Sequence, residues 1–107
     1  MTAAVVLTED ALRDLDDIHA YIAEHDGGER ADQILDRIRE ALARLLRFPH
    51  RGEQPAELLA LGIREFRQVH FKPYRMIYQV RGTTVYVMVV ADGRRDMQTL
   101  LQRRLLA

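Results

Sequence analysis

Apolar residues recur at helical spacing from Ala11 to Leu46, and after Gly62 the period changes to that of strands. That switch restricts the chain more than any other feature. Helices fall in the first half and strands in the second, so the predicted class is α+β, with helices gathered on one face of a sheet. At 107 residues the chain suits one domain spanning 1–107, with no internal repeat and no linker long enough to separate two units.

The first helix is predicted over 9–24. Thr8 is its candidate N-cap, with Glu9, Asp10 and Asp14 near the positive end of the helix dipole. Ala11, Leu12, Leu15, Ile18, Tyr21 and Ile22 form its apolar stripe, and Gly27-Gly28 breaks it. A second helix follows over 29–47, with Ala31, Ile34, Leu35, Ile38, Leu42, Leu45 and Leu46 on one face and charges on the other. Pro49 ends it, because proline lacks an N–H and restrains the residue before it. The short glycine turn makes the two helices an antiparallel hairpin. Residues 49–62 read as an ordered connection with room for one helical turn, anchored to the core by Leu58, Leu59 and Leu61.

Strands are predicted at Val5-Val6-Leu7, Ile63–Phe71, Tyr74–Val80 and Thr84–Ala91. Phe66 falls on the opposite parity from Val69 and Phe71, which suggests a bulge there. Lys72-Pro73 marks a bend and Arg81-Gly82 a tight hairpin turn. The run TVYVMVVA is nearly all apolar, as in a central strand covered on both faces. Residues 96–106 suit a short terminal helix, with Met97, Leu100, Leu101 and Leu105 inward. The expected architecture is therefore β-α-α-β-β-β with a short C-terminal helix. It is a small curved antiparallel sheet packed on the N-terminal helical hairpin, its second face partly open.

Composition excludes several chemistries. The chain has no cysteine, and so no disulfide framework, thiolate zinc site or cysteine nucleophile. It contains no serine either, and Thr2, Thr8, Thr83, Thr84 and Thr99 read as capping or strand residues. His19, His25, His50 and His70 lack metal-ligand spacing, so no metal and no cofactor are expected. No Walker or Gly-x-Gly-x-x-Gly loop is present. No apolar run reaches the roughly 20 residues that span a bilayer, and the N-terminus has neither a basic lead nor a cleavage signature. No membrane association is expected, and the cytoplasm is the expected location.

The net charge of +0 conceals a split. Residues 1–62 carry 7 Arg+Lys against 13 Asp+Glu, and residues 63–107 carry 9 against 3. Two readings stand: an acidic helical layer folding against a basic sheet layer, or a basic half that meets an anionic partner. The candidate phosphate- or target-binding residues are Arg64, Arg67, Lys72, Arg75, Arg94 and Arg95, with His70, Tyr74 and Tyr78 near them in sequence. Arginines position phosphates and offset transition-state charge, and they equally clamp carboxylates. His70 is the one basic residue in this set with an ordinary pKa near neutrality. Arg75, flanked by apolar residues, also suits a structural pair with a helix carboxylate.

These residues carry a resemblance. ADQILDRIREALARLLRFPHRG, IREFRQVHFKPYRMIYQV and VYVMVVADGRRD occur in the order found in the ParE/RelE superfamily, the small toxins of bacterial type II toxin–antitoxin modules, over residues 3–98. The resemblance implies a curved sheet on a helical hairpin, and a cognate antitoxin that masks the toxin in a hetero-oligomer and binds operator DNA itself. It also implies growth arrest and plasmid stabilisation. RelE-like members cut mRNA on the ribosome, whereas ParE-like members inhibit DNA gyrase. In the nuclease branch, arginines at the positions of Arg75 and Arg95 act on the scissile phosphate, and Arg94 stands where a neighbouring basic residue does. The nuclease lysines on the preceding strand are replaced near Phe66 and Gln68. The C-terminal tyrosine is missing, for Met97, Thr99, Leu100 and Leu101 follow Arg95. If the protein is a ribonuclease, its catalytic set is Arg75, Arg95 and His70. The depleted set favours the ParE branch and gyrase inhibition. The alternatives are ribosome-dependent mRNA cleavage and a non-toxic interaction module.

Overall fold

The structure is a computed structural model that describes residues 4–106, so Thr2 lies outside it. The chain runs β1 (Ala4–Leu7), α1 (Glu9–Asp26), α2 (Gly28–Ala43), a 3₁₀ turn (Arg44–Leu46) and α3 (Ala56–Leu59). It continues through β2 (Phe66–Phe71), β3 (Tyr74–Arg81), β4 (Thr84–Asp92) and α4 (Met97–Leu105). The class is α+β, as the change of period indicates.

Local signals set the helix ends. The Thr8 side chain accepts from the Ala11 N–H at 3.2 Å, capping α1. Gly27, at φ +92°, separates the two helices in a backbone region that side chains with a Cβ avoid. α2 tightens into the 3₁₀ turn before Pro49, which accounts for its ending earlier than its apolar stripe.

The strand order is β1-β4-β3-β2. β2, β3 and β4 form an antiparallel meander, and β1 joins β4 in parallel, which makes the sheet mixed rather than wholly antiparallel. The cause is chain direction. The helical hairpin and the 44–65 connection return the chain to the end of the sheet where β1 began, so β2 and β4 run the same way as β1.

β2 pairs with β3 without a register shift. The mixed parity of Phe66, Val69 and Phe71 reflects two buried faces instead of a bulge. The bulge is in β4: Tyr78 pairs with Val87 and Ile77 with Val89, leaving Met88 as the extra residue. β2 also starts at Phe66 rather than Ile63.

One core lies between the sheet and the hairpin. Ala11, Leu15, Leu35, Ile38, Leu42 and Leu45 meet Met76, Tyr78, Val85, Val87 and Val90 there. Leu45 is fully buried, and truncating it to Ala should cost about 2–5 kcal/mol. The opposite face is less open than expected. α3 and α4 bring Leu58, Met97 and Leu101 onto Phe66, Ile77, Val89 and Ala91. Leu59 and Leu61 do not anchor the connection, being exposed, and Leu12, Tyr21 and Leu46 likewise stand outside the core.

Candidate functional site

Alternation on β3 sends Met76 and Tyr78 to the hairpin face and Arg75 to the α3 face. There Arg75 is held on every fork. Its Nη1 and Nη2 donate to the two Glu57 carboxylate oxygens, each at 2.8 Å. Its Nε donates to Gln68 Oε1 on β2 at 2.8 Å. The Gln68 amide in turn donates to Glu53 Oε1 at 3.1 Å. Only 12% of the Arg75 side chain is exposed. The hydrogen bonds from Arg75 hold the Glu57 carboxyl below its ordinary value, against the opposing effect of burial. A bidentate pair of this kind leaves Arg75 little freedom to take up a phosphate. Its register partner His70 is exposed and lies directly across on β2.

Gly93 makes room for this arrangement. A Cβ there would lie 2.8 Å from Arg75 Cδ and 3.2 Å from the Pro73 carbonyl oxygen. Gly52 has a similar role on the hairpin face. Its N–H donates to the Tyr78 hydroxyl at 3.0 Å, and a Cβ would come within 2.5 Å of the Gln68 carbonyl oxygen. Burial pushes the Tyr78 hydroxyl above its ordinary pKa.

The other predicted residues are scattered. Arg67 donates to the Gly52 carbonyl oxygen at 2.8 Å and so serves the loop. Arg64 and Lys72 are exposed at the two ends of β2. Arg94 is tied to Asp92, its Nε donating to Oδ1 at 2.9 Å. The Asp92 carboxyl is held low by those hydrogen bonds from Arg94. Arg95 is exposed and makes no side-chain hydrogen bond or ion pair among the described residues. Arg94 and Arg95 border a hollow of about 440 Å³ between α1 and the end of β4, with Tyr21, Tyr74, Asp17 and Asp92 on its other walls. The structure therefore turns Arg75 to Glu57 on α3, whereas Arg94 and Arg95 border the α1–β4 hollow, which Arg75 does not line. Among the described residues, no three His, Asp or Glu side chains converge to hold a metal ion. No described helix is long and apolar enough to cross a membrane.

Three ion pairs among the described residues join the acidic first half to the basic second half: Glu57–Arg75, Asp14–Arg104 and the longer Asp10–Arg104. Sequence reasoning anticipated a carboxylate for Arg75 but assigned it neither Glu57 nor Gln68 as a partner, and it assigned no partner to Arg104. The available signal for Glu57 was an acid beside Leu58 in a segment suited to one helical turn.

The same arrangement of sheet and hairpin occurs in known proteins. A chromosomal ParDE toxin–antitoxin system from P. aeruginosa contains a chain that superposes with a TM-score of 0.72 at 21% identity, over 86% of this chain and 96% of that one. Toxin ParE3 of Caulobacter vibrioides is 29% identical over 100 residues, covering 94% of this chain and 96% of its own length. Residues 5–97 match the family described as ParE toxin of type II toxin-antitoxin system, parDE, and the chain belongs to that family.

Proposed function

We propose that this protein is the toxin of a type II toxin–antitoxin pair that arrests growth by inhibiting DNA gyrase and is neutralised by a cognate antitoxin. The observation that carries the choice of target is the closed Arg75–Glu57 pair. The arginine at the position that would act on a scissile phosphate in the nuclease branch is already committed to an internal carboxylate. No Tyr follows Arg95 in the sequence. Charge clamps remain without an evident pair of proton-transfer groups, which fits a protein that binds its target and does not fit an RNA-cleaving enzyme. Arg95, exposed beside the α1–β4 hollow, is the first candidate for target contact.

An antitoxin partner is further supported by a shallow apolar groove of about 380 Å³ bordered by Val5, Leu7, Leu12 and Leu46. It adjoins the outer edge of β1, whose backbone has no strand partner on that side among the described residues. Burying such a groove against the antitoxin would remove exposed Leu12 and Leu46 from water.

The test is induced expression with and without the small gene adjacent to this one. The proposal predicts growth arrest relieved by the neighbour, with relaxed plasmid and intact mRNA in the arrested cells. Arrest with cut mRNA and normal supercoiling would assign the protein to the nuclease branch. Unchanged growth from soluble, folded protein would leave only an interaction module.

A further inference from the structure

The segment from Ala41 to Gly52 contains no acidic residue, although Glu40 and Glu53 flank it. It carries Arg44, Arg47, His50 and Arg51, all exposed. Most arginines elsewhere in the fold are engaged, as in the pairs Arg13–Asp10, Arg37–Glu40, Arg39–Asp36, Arg75–Glu57, Arg94–Asp92 and Arg104–Asp14. Arg44, Arg47 and Arg51 form no ion pair among the described residues. Phe48 stands in their midst with 57% of its surface exposed, and the Arg47 guanidinium lies 5.7 Å from the centre of its ring. Beside it, Arg44, Arg51 and His70 border a hollow of about 390 Å³. The acid on that hollow, Glu53, accepts a hydrogen bond from the Gln68 amide.

Helix-dipole stabilisation accounts for Arg44 and Arg47 at the end of α2. It does not account for Arg51, nor for a large aromatic ring left in water. Free cations that track a backbone, with an exposed ring on which a base can stack, are the elements of a single-strand binding surface. The other exposed aromatic, Tyr21, differs. It stacks on His25 at 4.1 Å, on a helix that also carries Asp17, Glu24 and Asp26, where phosphates are repelled.

We propose that the Arg44–Arg51 segment is a binding surface for single-stranded nucleic acid, with phosphates held by Arg44, Arg47 and Arg51 and one base stacked on Phe48. Of this segment Leu46 alone borders the groove assigned to the antitoxin, and the phosphate- and base-binding residues Arg44, Arg47, Phe48 and Arg51 do not; the proposal does not depend on the identity of the toxin's target.

The test is fluorescence anisotropy of the full chain with a labelled oligothymidylate at a series of salt concentrations. Binding should weaken steadily with salt. Replacing Arg47→Ala and Arg51→Ala together should lower affinity about tenfold and flatten the salt slope by about one unit. Phe48→Ala should lower affinity about tenfold with the slope unchanged, and Phe48→Tyr should retain binding. Arg37→Ala, which removes one positive charge on α2, should alter neither. Thermal melts establish that each variant is folded. Absence of binding at low salt overturns the proposal, as does equal loss with Arg37→Ala. Binding of polyglutamate or of duplex DNA as tight as that of the oligothymidylate, with Phe48→Ala silent, also overturns it.

Discussion

The Arg104 guanidinium meets the Asp14 carboxylate across the end of β4, with 3.0 Å between nitrogen and oxygen on both forks. β1 pairs with β4 only as far as Val87, so among the described residues the backbone beyond it lacks a strand on that side. Asp14 Oδ2 accepts from the Val90 N–H at 2.9 Å, and Arg104 donates to the carbonyl oxygen of Met88, the bulged residue, at 2.9 Å. Two side chains thus complete the ladder where β1 stops and tie α1 to α4. Asp14→Ala takes the nearest carboxylate from a largely buried guanidinium, leaving it Asp10 at 3.7 Å, and unpairs the Val90 backbone N–H, and should destabilise the fold by about 2–3 kcal/mol. Asp14→Asn, which keeps one acceptor, should cost less. Urea unfolding of both variants measures this, and a loss below about 0.5 kcal/mol for Asp14→Ala would show the tie to be energetically idle.

Glu57 gives stability an acid dependence of known sign. Its carboxyl is held below the ordinary value of 4.5, chiefly by the Arg75 hydrogen bonds. The folded state therefore binds fewer protons than the unfolded state in the window below 4.5, and stability falls as pH drops through that window. Its contribution is fully present above the unfolded value. Glu57→Gln should be less stable than the parent at neutral pH and lose less on acidification. Asp92 and Asp96, also held low, should keep some slope in the variant. Parallel pH profiles for parent and variant would contradict this reading of the pair.

Gly52→Ala should be among the most damaging single substitutions. The added methyl meets the Gln68 carbonyl oxygen and the Tyr78 hydroxyl at 2.5 and 2.6 Å, and one of these is backbone. The expected loss is about 2 kcal/mol or more, seen as a lowered denaturation midpoint. Gly28→Ala, with nothing within 4 Å of the added atom, is the matched control and should change stability little.

Leu12→Glu and Leu46→Glu test the groove assigned to the antitoxin. Both side chains are about half exposed, at 51% and 42%, so the isolated fold should lose little. Titration against purified antitoxin should show affinity falling at least tenfold, as expected when a charge enters an apolar contact. Unaltered affinity for both variants would place the antitoxin elsewhere.

The fold was legible because its signals are local. The period switch, Thr8, Gly27-Gly28 and Pro49 each act within a few residues, and they yield the hairpin and the strand sequence directly. Pairing direction was less legible. β1 is four residues long and carries no mark of its neighbour, so its parallel register emerges only from the path of the whole chain. The β2 alternation was misleading for a related reason: both faces of the sheet are covered, and parity then no longer distinguishes a bulge from a second core. The site was the least legible. Arg75 was identified, but its clamp comes from residues 18 and 7 positions away, and no local pattern encodes such a meeting. Gly93 lies just past the end of β4, and its absent side chain is what admits the Arg75 stem.

The most direct test of the account is a pair of assays on the purified chain. One follows supercoiling of relaxed plasmid and formation of the cleavage complex by DNA gyrase; the other follows mRNA in a translating ribosome mixture. The account predicts gyrase inhibition with intact mRNA, weakened about tenfold or more by Arg95→Ala, since loss of a charged contact has effects of that size. Codon-spaced mRNA cuts with normal supercoiling would contradict it, and would mean that the Arg75–Glu57 pair opens on the ribosome.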